Sequence, residues 1–166
     1  KYEAHFSKHA TYIVDEMLEQ LLQGDAVSPI ALQRALSHMG WNVKDSYFCV
    51  LAHQSNSTSY PDVFLIPTAE TLCDIVPHTM FSITDGSILL VSNLTVSGLH
   101  PTKVCEPLVG MLRKRGLDMK LGVSTPFSDF SYVRYFFDQA HEAIHLGERI
   151  DGEKPVYMFH DYILEA

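Results

Sequence analysis

Apolar residues recur at steps of three to four near the start of the chain: Phe6, Ala10, Ile13, Met17 and Leu21, with Val14, Leu18 and Leu22 alongside. This spacing predicts an amphipathic helix over about 5–23, closed by Gly24. Ser28 followed by Pro29 reads as a helix cap with proline in the first turn, and Leu32, Leu36 and Met39 carry a second stripe up to Gly40. The chain is expected to open with a helical hairpin. The pattern then changes. Tyr47 to Ala52 is a continuous apolar run rich in strand formers, which predicts a strand buried on both faces. The polar run from Ser55 to Tyr60 predicts a loop, and Thr68 a cap for a short helix through Ile75. Met80–Thr84 and Ser87–Ser92 flank Asp85-Gly86, a dipeptide that tolerates the positive φ angles of a two-residue hairpin.

A helix is predicted up to Arg115, starting near Val104 so that Pro107 falls in its first turn, where a missing amide costs little; Gly116 ends it. Met119, Leu121 and Val123 alternate with Lys120, Gly122 and Ser124, predicting a strand. Ser128 is the expected cap of a long helix with Phe130, Val133, Phe137, Ala140 and Ile144 on its inner face and Gly147 at its end. Val156 to Phe159 is the last predicted strand. Strand, helix, hairpin, helix, strand, helix, strand is the order of an α+β fold, close to a ferredoxin-like sheet containing antiparallel strands with helices on one face.

A length of 166 residues with 46% hydrophobic and 19% charged residues suits one domain with a real core. No apolar run reaches the roughly 18 residues of a membrane span and no signal segment opens the chain, so a cytoplasmic protein without a membrane partner is expected. A net charge of −8 repels a phosphate backbone, and any DNA contact would belong to another segment. Cys49, Cys73 and Cys105 are odd in number and lie in apolar surroundings, which predicts reduced, packed thiols. The start at Lys1 and the apolar turn of Tyr162 to Ala166 lead us to expect a piece of a longer protein.

His141-Glu142-Ala143-Ile144-His145 fits H-E-x-x-H, in which two histidines one helical turn apart bind zinc and the glutamate activates a water; Glu165 could be named as a third ligand. The motif is short, the chain holds nine histidines, and His141 and His145 sit at the edge of the apolar stripe, where unliganded histidines are common. The expectation is therefore no metal, no cofactor and no enzyme, with a zinc hydrolase built on His141, Glu142 and His145 as the alternative. Ser97-Gly98-Leu99-His100 and Asp85-Gly86-Ser87 offer serines without the strand-to-helix setting of a nucleophile elbow, so turn chemistry is the better reading. No phosphate-binding G-x-x-x-x-G-K-[ST] or G-x-G-x-x-G occurs. Tyr132, Tyr135, Phe136 and Phe137 at helical spacing read as core and rim, and His53, His78 and His160 lack metal-like spacing.

Leu121-Gly122-Val123-Ser124-Thr125-Pro126-Phe127-Ser128-Asp129-Phe130 resembles the strand and turn of the GGDEF-like domain in PucR/CdaR-type bacterial transcription regulators. Phe137 to Gly147 is similar to that family's y-x-x-A-x-x-A-l-x-x-G helix, and Val156 to Tyr162 resembles its closing strand, which leads into a C-terminal helix-turn-helix. Leu18 to Gly24 and Ala35 to Trp41 are similar to its opening segment. The resemblance implies a degenerate cyclase-like domain over 41–161 behind a hairpin over 1–40, with 162–166 starting the linker to a DNA-binding domain. It also leaves His141 and His145 at variable positions. True GGDEF domains use a Gly-Gly-Asp/Glu-Glu-Phe hairpin and a metal-binding aspartate on the first strand. Here the hairpin holds only Thr84-Asp85-Gly86-Ser87, and Tyr47 to Ala52 has no carboxylate to hold a magnesium ion. The implied role is a non-catalytic regulatory domain for dimerisation or for sensing a small-molecule effector.

Overall fold

The structure is a computed structural model that describes residues 13–54 and 60–165. Phe6, Ala10 and most of the polar 55–60 run lie outside the described residues. Residues 13–22 are helical (α1), and Gly24 turns the chain with φ of 84°. The second helix, α2, spans Pro29–Ser37, with Ser28 Oγ accepting from the amide of Ala31 at 3.3 Å as expected of a cap. The remaining elements are β1 (Tyr47–Gln54), α3 (Asp62–Ile75), β2 (Thr79–Thr84), β3 (Ser87–Asn93), a short α4 (Leu94–Ser97), α5 (Pro101–Lys114), β4 (Met119–Val123), α6 (Val133–Asp151) and β5 (Val156–Met158). The five strands form one mixed sheet in the order β2-β3-β1-β4-β5, antiparallel except for the β4–β5 pair, and the class is α+β.

Helices cover both faces of this sheet rather than the one expected. The cause is legible in β1: Tyr47, Cys49 and Leu51 point to the side packed by α1, α2 and α6, while Phe48, Val50 and Ala52 point to the side packed by α3 and α5. A strand apolar at every position needs a cover on each side. Val14, Leu18, Leu32 and Leu36 of the hairpin share their core with Leu89, Val133 and Ile144, so the described part of α1 packs within the chain.

Several predicted boundaries shift. Helix α3 begins at Asp62 after Pro61, not at Thr68, whose hydroxyl donates to the Phe64 carbonyl inside the helix at 3.4 Å. Helix α5 starts at Pro101 rather than near Val104, which leaves Pro107 in its interior. Asp129 instead of Ser128 is the cap: its Oδ1 accepts from the Ser131 amide at 2.9 Å and opens a single 3-10 turn, Phe130–Tyr132, ahead of α6. Gly147 does not end α6, which continues to Asp151 and stops at Gly152 with φ of 74°. The last strand closes at Met158, and a 3-10 segment, Phe159–Glu165, follows. The hairpin is as predicted, with Asp85 and Gly86 at φ of 51° and 75°.

Candidate functional site

Two glycines set α6 on the sheet, and α6 carries the histidine motif. A Cβ on Gly122 of β4 would lie 2.7 Å from Ile144 Cγ1 and closer still to the Ala140 carbonyl oxygen. A Cβ on Gly147 would lie 2.7 Å from Cγ of Tyr157, with Cδ1 nearer. Strand and helix backbone therefore approach where a side chain would hold them apart. Tyr157, fully buried, donates to the Gly152 carbonyl at 2.5 Å and accepts from the Lys154 amide at 2.8 Å.

With α6 so placed, His141, Glu142 and His145 are all exposed. The His141 ring meets that of His53, at the end of β1, in a T-shaped pair with centroids 5.5 Å apart and planes at 75°. His53 Nδ1 is in turn 2.7 Å from Ser87 Oγ on β3. Burial, and secondarily His141, pushes His53 below the usual histidine range, while Glu148 pulls the other way. Beside them Lys120 of β4 is paired with Glu148 of α6 and, at 2.9 Å, with Glu153. Burial alone would lower this ammonium; the two carboxylates hold it above the usual lysine range. Among the described residues no group of three or more His, Cys, Asp or Glu is placed to hold a metal ion, and the side chain of Glu165 lies outside them.

The end of β1 also meets the hairpin turn. Gln54 Nε2 donates to the Gly86 carbonyl and its Oε1 accepts from the Tyr60 amide, so a neutral amide fastens β1 to the turn. Ser87 and His53 contain the elements of a nucleophile and base. Yet Ser87 is 4% exposed in extended backbone, and among the described residues no carboxylate accepts a hydrogen bond from His53. Ser97 has the turn role expected of it, accepting from the Leu99 amide at 3.1 Å ahead of Gly98. His160 pairs with Asp161 at 3.0 Å, and His78 takes a positive φ of 55° ahead of β2.

The chain matches no family model and no curated protein. Its site must therefore be read from its own residues. The pairing of His53 with Ser87 is the contact that spacing missed. It follows from the antiparallel register Ala52↔Ile88, which carries His53 to the start of β3. The two residues are far apart in sequence, and no local signal announces that β1 lies beside β3. The three thiols are free, with Cys49 and Cys105 buried and Cys73 partly so.

Proposed function

We propose that this chain is a non-catalytic regulatory domain of a PucR/CdaR-type transcription regulator, built on a ferredoxin-like, degenerate GGDEF-like fold and acting through self-association or a small effector. One observation carries the reading. The strand order β2-β3-β1-β4, with α3 and α5 crossing one face, brings the end of β1 against the hairpin turn. That is where a GGDEF-type cyclase would need carboxylates for its metal ions, and here stand His53, Gln54 and Ser87, with Asp85 alone in the turn. The added strand β5, parallel to β4, and the Ala140, Ala143 and Gly147 face of α6 also support it. A charge of −8 supports the part of the proposal that leaves DNA contact to a separate domain, and no described helix is long and apolar enough to cross a membrane; a cytoplasmic location belongs to the same proposal.

A regulator of this kind responds to an effector only if the effector favours one arrangement of the protein over another. Incubation with GTP and magnesium should yield no cyclic dinucleotide, and light scattering across a concentration series should reveal a dimer or an effector-dependent change in mass. Turnover of GTP would refute the reading. The alternative, a zinc hydrolase using His141, Glu142 and His145, draws on the exposure of both imidazoles one turn apart on α6. Stoichiometric zinc in protein purified without chelator, lost in His145→Ala, would establish that alternative in its place.

A further inference from the structure

Strand β2 lies at the outside of the sheet, and the hairpin decides which of its backbone groups face inward. Residues that flank a two-residue turn exchange both bonds, so Thr84 bonds to Ser87, and the alternation of the ladder turns Met80 and Ser82 toward β3 as well. The bond from the Asn93 amide to the His78 carbonyl fixes the same phase at the other end. The N–H and C=O groups of Thr79, Phe81 and Ile83 therefore point away from the sheet, without a hydrogen-bond partner among the described residues. Sheet edges that stay single are blunted by charge, proline, a bulge or brevity. The opposite edge, β5, is so protected: it is three residues long and follows Lys154 and Pro155. β2 is not. It runs six residues without a charged side chain or a proline, and its register is unbroken from Thr79↔Ser92 to Thr84↔Ser87.

The contrast between the two edges selects the occupant. An open row of subunits would pair β2 with β5, which is too short to match it, whereas two β2 strands related by a two-fold axis close on themselves. An axis perpendicular to the joined sheet pairs only residues that share a face. The register centred on Phe81 sets Phe81 against its own copy and Thr79 against Ile83, and every outward N–H then meets an outward C=O. Centred on Met80, Ile83 would face Pro77, which has no amide hydrogen; centred on Ser82, Thr79 would face Asp85 in the turn. Side chains favour the same register. Phe81 and Ile83 are half-buried on the α3 side, where aromatic and β-branched groups then meet across the seam. At each end His78 falls opposite Thr84, beside Asp85 of the second copy, and no two like charges oppose each other.

We propose that β2 is the dimerisation edge of this protein: two copies pair β2 with β2, antiparallel and centred on Phe81, into one continuous sheet. This deepens the self-association reading above and rests on it for its regulatory meaning. The charge of −8 on each copy opposes association, but the seam itself carries none of it.

Sedimentation equilibrium of the whole chain and its variants tests the seam. The unaltered chain should dimerise as concentration rises. Thr79→Lys with Ile83→Lys, which sets like charges directly against each other, should weaken the dimer at least about tenfold while circular dichroism stays native. Should that protein unfold, Thr79→Lys alone must still weaken association. Under mild oxidation Phe81→Cys should give a disulfide-linked dimer, because facing Cα atoms of a hydrogen-bonded antiparallel pair lie about 5.5 Å apart, within disulfide reach. Thr84→Cys, which faces His78, should not. A monomer at every concentration, a dimer unchanged by the lysines, or equal linking by the two cysteine variants would each overturn the seam. A monomer whose Thr79, Phe81 and Ile83 amides resist deuterium would give the edge to another part of the same chain; free exchange would leave it to a different protein. A dimer indifferent to the lysines would keep self-association and lose only this seam. Turnover of GTP would end the regulatory reading and leave the seam standing.

Discussion

Replacing Gly147 by alanine opposes two effects of opposite sign. In a helix interior alanine is favoured over glycine by about 1 kcal/mol, so local propensity alone predicts a more stable protein. The structure predicts the reverse. The new methyl would meet the Tyr157 ring at 2.7 Å from Cγ and nearer at Cδ1, and that ring cannot retreat freely: it is fully buried and its hydroxyl is tied to Gly152 and Lys154. Overpacking of this kind costs about 1–3 kcal/mol, and displacing the ring forfeits hydrogen bonds worth about 1 kcal/mol each. Subtracting the propensity gain leaves a net loss of about 2–4 kcal/mol, or roughly 4–16 °C in Tm for a chain of this size. Gly110→Ala in α5 is the control, because a Cβ there meets nothing within 4 Å; it should stabilise by up to about 1 kcal/mol. Urea denaturation of both variants gives the two signs. A Gly147→Ala protein as stable as the wild type, or more so, would refute the close packing of α6 on Tyr157.

Asp15 on α1 is partly desolvated and sits near Glu19, and the two together push its carboxyl up to about 6 from 3.8. The folded state therefore holds the proton more tightly than the unfolded one. Stability should fall as pH rises from about 4 to about 6, by at most about 1–2 kcal/mol once solvent screening is discounted. Asp15→Asn should accordingly raise Tm at neutral pH, with the advantage shrinking toward pH 4; a gain independent of pH would reject this cause. His53 acts in the opposite sense: its lowered affinity for protons makes protonation below pH 6.5 destabilising, and His141→Gln, which removes the neighbouring charge, should flatten that acid-side loss in thermal melts. Burial pushes the Cys73 and Cys105 thiols up to about 12 and about 11 and Cys49 higher still, so iodoacetamide at neutral pH should label none of them quickly until denaturant is added. Rapid labelling of the native protein would show a more open packing than described.

The elements that spacing identified best are those decided by neighbours in sequence. The Ser28-Pro29 cap, the Asp85-Gly86 turn and the alternation of Met119, Leu121 and Val123 all depend on a few adjacent residues, and all are found. Misplaced boundaries trace to tertiary contacts. Gly147 carries a local stop signal, but the Tyr157 ring laid on it makes glycine a packing requirement in mid-helix. Thr68 as a cap and Pro107 argue locally for later helix starts, whereas Leu65, Ala69, Val104 and Leu108 bury their side chains under the sheet and hold both helices together. The candidate site was legible only in part. His141 stood out through its motif, but its ring partner His53 and the Ser87 hydroxyl behind it depend on which strands pair and which faces are covered.

Strand β1 is paired along β3 on one side and β4 on the other, and helices lie over both its faces. Fraying of a sheet edge cannot release its amides, and neither can detachment of a single helix, because the flanking ladders stay in place. Deuterium should therefore enter Cys49 to Ala52 only when the whole fold opens, whereas edge amides of β2 exchange through smaller excursions. The slowest amides of this chain then give a direct measure of its global free energy of unfolding under native conditions, without added denaturant.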